Sequence, residues 1–304
     1  MKNIAQSALV NILLFSIFWA IEIFIAKLAF NAGAQVIAFT LQSSFLTLII
    51  LSIYILPTKL KELKKIPFHT IKRLFFANAI HMGLGGFLGN AGIQLTTAIN
   101  AGFLSQFTLV SGTIFAWLIL KEKMTMAKII SVFTIIVGTF LLITKGQLII
   151  PYIGDLFLIL ACICWGLGLV LVRKTLKNTS INSDFVSLIR PVAGIPIIIL
   201  FIFLSPMYPS SLQKIFQVNI FDLHQTLYVI LSGIIVSFVW IFANRTLKLA
   251  SASYTSMMSS ITPILVALLA TIFLNERIEG IQFIGILLII SSSLVTHYLK
   301  IDRD

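Results

Sequence analysis

The sequence predicts an all-α membrane protein with ten transmembrane helices that form two inverted five-helix repeats. Three observations predict this fold class: a composition too apolar for a soluble domain, ten apolar runs of membrane-spanning length, and a pattern shared by the two halves. Of the 304 residues, 59% are hydrophobic and 11% are charged, and the mean hydropathy is +1.05. Soluble domains contain about half apolar and about a quarter charged residues, so the bilayer is the expected solvent.

The apolar runs favour helices over a β-barrel. Each run is about 20 residues long, which is the length of a helix that crosses about 30 Å of hydrocarbon, whereas barrel strands alternate in polarity over about 10 residues. The predicted spans are residues 8–30, 35–56, 72–94, 98–120, 126–144, 151–173, 183–205, 224–246, 251–274 and 279–299. Spans 1–5 belong to a predicted first repeat at residues 1–147, and spans 6–10 to a second at 148–304.

The positive charge predicts an orientation rather than a nucleic-acid partner. A net charge of +12 would indicate nucleic acid in a soluble protein, but here the cations cluster in short loops, as in cytoplasmic loops of membrane proteins. With both termini in the cytoplasm, the outer side and the membrane interior keep only Lys27, Lys145, Lys214, Arg277 and the intramembrane Arg190. We therefore predict a bacterial inner-membrane protein with cytoplasmic termini and no nucleic-acid partner.

The two halves share features at constant offsets. A shift of 154 residues aligns Leu95, Ala98, Thr108, Ala116, Leu120 and Glu122 with Leu249, Ala252, Thr262, Ala270, Leu274 and Glu276. A shift of 146 residues aligns Trp19 with Trp165 and Lys27 with Arg173. Because each half has an odd number of spans, the second half enters the membrane upside down, and such inverted repeats can expose a central site to each side in turn.

A short box ends one span in each half. Residues 120–123 and 274–277 both follow the pattern Leu-x-Glu-[Lys/Arg], and each box comes after a stretch rich in Ala, Ser and Thr, at 96–102 and 250–256. We interpret the glutamates of the two boxes as structural anchors at the span ends. With these residues the chain resembles, over nearly its whole length, the EamA-type ten-helix branch of the drug/metabolite transporter superfamily.

The resemblance carries functional expectations. The family has a proline in the middle of the span that ends with this box. Pro263 matches it in the second half, whereas the first half has Leu109 there. The resemblance implies secondary active transport of a small polar metabolite, often an amino acid or a related solute, by an exporter or an exchanger that uses alternating access. It implies no enzyme activity and no cofactor.

Two charges at membrane depth are the first candidates for a site, because a charge at a helix centre costs about 2.5–3.5 kcal/mol on insertion scales. Glu22 lies three residues after Trp19 and so on the same helical face. It is interpreted as a cavity carboxylate that binds a proton or cation, or as the structural partner of another helix. Arg190 is interpreted as an anchor for a substrate carboxylate, or as a partner of Glu22 or of carbonyls freed by Pro191.

Aromatic and uncharged polar residues complete the predicted site. Trp19, Trp165 and Trp240 lie deep in spans and are interpreted as cavity walls or as packed core. His81 could gate transport by gaining and losing a proton, or be a satisfied histidine at a helix interface, and the glycines around it favour close helix packing. The predicted substrate-binding residues are Trp19, Glu22, His81, Asn90, Gln106, Trp165, Arg190, Trp240 and Asn244.

The remaining expectations concern partners. We expect a small-molecule substrate, the lipid bilayer and a coupling proton or cation, and a homodimer stays open. The only cysteines, Cys162 and Cys164, lie inside an apolar run, so no metal site is predicted. A membrane-embedded lipid-modifying enzyme is disfavoured because the sequence has no His-x-x-x-His, no carboxylate pair and no Ser/His/Asp set, and a channel is the other, weaker alternative.

Overall fold

The structure, a computed structural model, describes residues 2–63, 65–144, 152–177, 179, 181–204, 207, 223–249 and 261–298. In this part of the chain ten helices and no strand form, which confirms the all-α fold class. The helices of the first half are α1 (Lys2–Asn31), α2 (Val36–Leu63), α3 (Phe68–Asn78, a π-helical segment Ala79–Leu84, and Gly85–Leu95), α4 (Ala98–Leu120) and α5 (Met126–Thr144). Those of the second half are α6 (Ile153–Lys177), α7 (Ser183–Leu204), α8 (Leu223–Leu249), α9 (Ile261–Phe273) and α10 (Gly280–Tyr298).

The lengths and apolar character of these helices make the protein a multi-pass membrane protein. Among the described residues, α1, α2, α4, α6, α7 and α8 are long and apolar enough to cross a bilayer, and α5, α9 and α10 are shorter apolar helices. The first residues of the predicted span 251–274 and the predicted repeat boundary at 147 lie outside the described residues.

Helix packing follows the repeat. The helix α1 packs on α8 and α9, and its counterpart α6 packs on α3 and α4. In the same way α2 packs on α8, and its counterpart α7 packs on α3. Equivalent helices of the two halves also contact each other, in the pairs α2–α7, α4–α9 and α5–α10. Each of these contacts has its counterpart when the helix number shifts by five, so the two halves interlock rather than form separate bodies.

Glycines permit close approaches between these helices, and the sequence predicted such packing for the glycines of α3. A Cβ placed on Gly138 of α5 would lie 2.7 Å from the carbonyl oxygen of Gly285 on α10, and the reverse distance is 2.6 Å. On α3, Gly85 and Gly89 leave room for the indole of Trp165, which would lie 2.6 and 2.5 Å from added Cβ atoms. Small residues at these positions therefore let α3 and α5 meet the second half at short range.

The Leu-x-Glu boxes are helix C-caps. The residues at the x position, Lys121 and Asn275, have left-handed backbones with φ of 57° and 54°. The following backbone N–H groups close the turn, since Glu276 donates to the Ala270 oxygen at 3.3 Å. This is the 6→1 bond of the Schellman motif, and it recurs between Glu122 and Ala116 at 3.3 Å.

Cations tie the helix ends of the two repeats in equivalent ways. The ammonium group of Lys27 donates to the carbonyl oxygens of Ile93, at 3.2 Å, and of Thr96, at the end of α3. Arg173, its repeat partner, donates from Nη1 to Leu247 at 2.6 Å, at the end of α8. Exposed carbonyls at a helix C-terminus favour such cations.

The glutamates of the two boxes complete these helix ends. Glu276 accepts hydrogen bonds from the backbone N–H groups of Ala98 at 2.8 Å and Ile99 at 2.9 Å, which begin α4. This confirms its interpretation as an anchor. Glu122 lies 3.8 Å from Lys128, and the backbone equivalent to that of Ala98 and Ile99 lies outside the described residues. We call the two networks the Lys27 end and the Arg173 end.

Candidate substrate cavity

A cavity of about 70 Å³ lies between the two halves. It is lined by α1, α3 and α4 of the first half and by α6, α7, α8 and α9 of the second. The lining residues are Phe15, Trp19, His81, Ser105, Gln106, Thr108, Trp165, Leu169, Arg190, Trp240, Ala243, Leu247 and Thr262. Its volume is small against the roughly 300–1,000 Å³ of typical ligand pockets. The space is therefore narrow, and its wall combines aromatic with polar side chains.

Two interruptions of regular helix border this cavity. The π-helical segment Ala79–Leu84 of α3 carries His81, and α4 breaks into turns at Ser105 and Gln106. The thiol of Cys162 lies 3.4 Å from the Leu104 carbonyl oxygen beside the break. Irregular backbone at membrane depth is tolerated where it is buried in protein or lines a cavity, and π-bulges are frequent at functional sites.

Aromatic rings form the apolar part of the wall. The Trp19 ring meets Trp165 edge-on at 5.5 Å between centroids, and it lies 6.0 Å from Trp240. His81 meets Trp240 edge-on at 5.4 Å. One tryptophan from each of α1, α6 and α8 therefore reaches the same space, as expected for the repeat-related pair Trp19 and Trp165.

The cation of the cavity is held by α8. Arg190 is 1% exposed, and its Nη2 donates to Asn244 Oδ1 at 2.8 Å. Asn244 in turn donates to Ser187 Oγ at 2.9 Å, and Ser187 donates to the Trp240 carbonyl oxygen at 2.9 Å. The guanidinium carbon lies 4.4 Å from the Trp240 ring centroid, an attractive cation–π arrangement.

Several polar atoms of the cavity wall lack a hydrogen-bond partner among the described residues. These atoms are Nε and Nη1 of Arg190, Nε1 of Trp240, Nδ1 of His81 and Oε1 of Gln106. A buried polar atom without a partner costs about 1–3 kcal/mol. A ligand that offers both hydrogen-bond acceptors and donors would recover that cost, so the wall is suited to a polar molecule.

Three of the nine predicted site residues lie outside the cavity wall. Glu22 accepts a hydrogen bond from Ser232 at 2.7 Å across the α1–α8 contact, and Asn90 donates to Thr40 at 2.8 Å across the α3–α2 contact. Asn244 lies behind Arg190 and orients it. No ion pair joins Glu22 to Arg190 in the described structure. The other six residues line the cavity: Trp19, His81, Gln106, Trp165, Arg190 and Trp240.

Sequence reasoning missed part of the wall. Thr108 and Thr262 both line the cavity, although the alignment at a shift of 154 already pairs them. A polar residue repeated at mid-span in both halves is a signal that could have identified them. Phe15 and Ser105 lie on the same wall and offered no comparable signal.

Membrane transporters built from inverted repeats place their substrate sites at the interface between the repeats, and this cavity lies at that interface. A family model described as the EamA-like transporter family matches the chain twice, at residues 6–144 and 152–298. The chain therefore belongs to the EamA-like transporter family.

Individual relatives agree with this class. The chain is 25% identical to the uncharacterized transporter YyaM of Bacillus subtilis (strain 168) over 69% of this chain and 68% of that protein. It is 23% identical to an uncharacterized transporter of Archaeoglobus fulgidus over 72% of this chain and 68% of the relative. A solved crystal structure shares the fold at a TM-score of 0.68 and 16% identity, with 97% of both chains covered.

Proposed function

We propose that the protein is a secondary active transporter, without enzyme activity, of a small polar metabolite with a carboxylate group, such as an amino acid or a related solute. It works by alternating access as an exporter or exchanger in the bacterial inner membrane, with both termini in the cytoplasm. The observation that carries the proposal is Arg190, a buried cation in the cavity wall whose Nε and Nη1 have no partner among the described residues.

The surroundings of Arg190 support a role in binding an anion. A structural arginine at this depth would be expected to use its donors on protein acceptors, since unpaired buried charge is costly. Here Asn244 takes one donor and the Trp240 ring covers one face. The remaining donors suit carboxylate oxygens, which form strong charge-assisted bonds with guanidinium groups. The position equivalent to Arg190 in the first repeat is Ser44, so the substrate's charge is recognised from one side only.

The narrowness of the cavity supports alternating access. A space of about 70 Å³ is too narrow for a typical ligand, so substrate entry requires the wall to open. Lys27 binds the end of a helix in the first repeat, and Arg173 binds the end of the equivalent helix in the second repeat. Opening at one end while the other stays closed would expose the cavity to one side at a time.

Counterflow in proteoliposomes tests the substrate anchor. Liposomes that contain the purified protein and a mixture of unlabelled amino acids should accumulate an external labelled amino acid with saturable kinetics. Arg190→Gln should lower the rate of this exchange by at least about a hundredfold, since a charge-assisted bond to a carboxylate contributes roughly 1.5–3 kcal/mol per hydrogen bond. Arg277→Gln, in an exposed loop, is the charge-matched control. Unchanged counterflow in Arg190→Gln would contradict the proposed anchor.

Glu22 is proposed as the coupling group that binds a proton or a cation. Its Oε2 is buried without a partner among the described residues, and Ser232 alone donates to Oε1. Because Glu22 lies at the α1–α8 contact rather than in the cavity, its change of charge would act through the packing of these two helices.

Separating exchange from gradient-driven transport tests this role. Glu22→Gln mimics one charge state permanently, so we expect it to retain counterflow and to lose concentrative transport driven by an imposed proton or sodium gradient. Ser232→Ala should retain concentrative transport but change how its rate depends on the size of the imposed gradient. Full gradient-driven transport by Glu22→Gln would remove Glu22 from the coupling mechanism and leave the anchor at Arg190 untouched.

A further inference from the structure

A second cavity, separate from the one between the repeats, lies where the first turns of α3 meet the last turns of α6. Its volume is about 410 Å³, larger than that of the central cavity. His69, Arg73 and Phe76 line it from one face of α3, at i, i+4 and i+7 spacing, and Leu171 and Lys174 line it from α6.

The charge of this cavity is of one sign. Arg73 and Lys174 both line it, and none of its lining residues is acidic. Neither cation has a hydrogen bond or an ion pair among the described residues. Two unpaired cations around one space repel each other, and an anion placed between them would relieve the repulsion.

The position of the cavity favours a lipid over a soluble anion. Arg73 and Lys174 lie within two turns of the helix ends. They also lie at or directly after the ends of the predicted spans 72–94 and 151–173, where lipid headgroups are expected. Deeper along the span, Phe76 is 64% exposed and its neighbour Phe75 is 38% exposed. Exposed aromatic side chains on a membrane span face acyl chains. The cavity therefore joins a cationic part near the helix ends to an apolar part farther along α3.

We propose that this cavity binds the headgroup of an anionic phospholipid. The phosphate lies between Arg73 and Lys174, and an acyl chain runs along Phe76. Basic cavities between transmembrane helices at a membrane face hold acidic headgroups by the same chemistry. This site does not depend on the transport proposal, because it shares no residue with the central cavity.

Native mass spectrometry of the detergent-solubilised protein tests the site by titration with phosphatidylglycerol. The variant Arg73→Gln/Lys174→Gln should bind the first phosphatidylglycerol about twenty-five-fold more weakly, from about fivefold for each cation near an anionic lipid. The control Lys72→Gln/Lys177→Gln removes two cations from the same helices. Lys72 instead lies over the Phe68 ring at 4.9 Å, and neither control lysine lines the cavity, so it should bind as the unmodified protein does.

Three outcomes would overturn the proposal. Equal weakening in both double variants would mean that diffuse surface charge attracts the lipid. Phosphatidylcholine bound as tightly as phosphatidylglycerol would remove the requirement for an anionic headgroup. Inorganic phosphate that binds through Arg73 and Lys174 while phosphatidylglycerol does not would assign the cavity to a soluble anion. Unchanged elution in size-exclusion chromatography establishes that each variant is folded.

Discussion

Glu276→Ala is expected to lower the free energy of unfolding by about 3 kcal/mol, since each buried donor left without a partner costs about 1–3 kcal/mol. The substitution would leave the N–H groups of Ala98 and Ile99 without their acceptor. It would also remove an anion from the positive end of α4 and from the vicinity of Lys27. Reversible denaturant titration in detergent micelles measures the change.

Two further variants separate the causes. Glu276→Gln keeps one carbonyl acceptor and loses the charge, so its stability should lie between that of Glu276→Ala and that of the unmodified protein. Glu62→Ala removes an exposed carboxylate that has no hydrogen bond or ion pair among the described residues and should leave stability unchanged. A loss in Glu276→Ala no larger than in Glu62→Ala would contradict the capping role.

Glu276 also gives the Leu-x-Glu box of the second half a role beyond the local turn. The first part of the box ends one helix through a left-handed residue, and its glutamate begins a helix of the other repeat. The box therefore specifies a contact between repeats as well as a local turn. Its sequence predicts the span end and the anchor, but the N–H groups that it binds lie 178 residues away.

Much of the fold could be predicted because the bilayer imposes simple rules on helix length and polarity. The interruptions of α3 and α4 could not, since neither contains a proline at the irregular residues. A tertiary contact accompanies one of them. In α4, the Cys162 thiol of α6 lies near the Leu104 carbonyl oxygen, and Leu109 at the family's proline position did not prevent a break at Ser105.

The candidate site was predicted where charge or helical spacing is informative. Arg190 stands out because a cation at membrane depth is expensive, and Asn244 shares a helical stripe with Trp240. Helical spacing also placed Glu22 on the same face as Trp19. However, α1 contacts both the cavity and α8. A separation of three residues does not show which of the two a side chain meets. Deciding between them requires the partner helix, which the local sequence does not contain.

Asn244→Leu is expected to lower the free energy of unfolding by about 3 kcal/mol, the upper range for a hydrogen bond to a charged group. Asn244 is the only hydrogen-bond partner of Arg190 among the described residues, so the substitution leaves a buried cation without an acceptor from this part of the chain. Leucine has the same number and branching of side-chain heavy atoms as asparagine, but its apolar surface does not compensate for an unpaired charge.

Arg190→Met should behave in the opposite way. A methionine fills part of the space that the arginine side chain occupies and removes two unsatisfied nitrogens, and replacement of a buried charge by an apolar side chain is often neutral or stabilising. We therefore expect this variant to unfold at the same or a higher denaturant concentration than the unmodified protein and to have no counterflow activity. A residue that lowers stability while it supports activity is typical of a binding site.

The double variant decides between a structural and a functional arginine. In the Arg190→Met background, Asn244→Leu no longer strands a cation, so its cost should fall to about 1 kcal/mol and the coupling energy should reach about 2 kcal/mol. If Arg190 were instead a structural link between α7 and α8, Arg190→Met alone would destabilise the protein as much as Asn244→Leu does. The order of the two single variants in stability therefore tests whether the free donors of Arg190 serve the protein or its substrate.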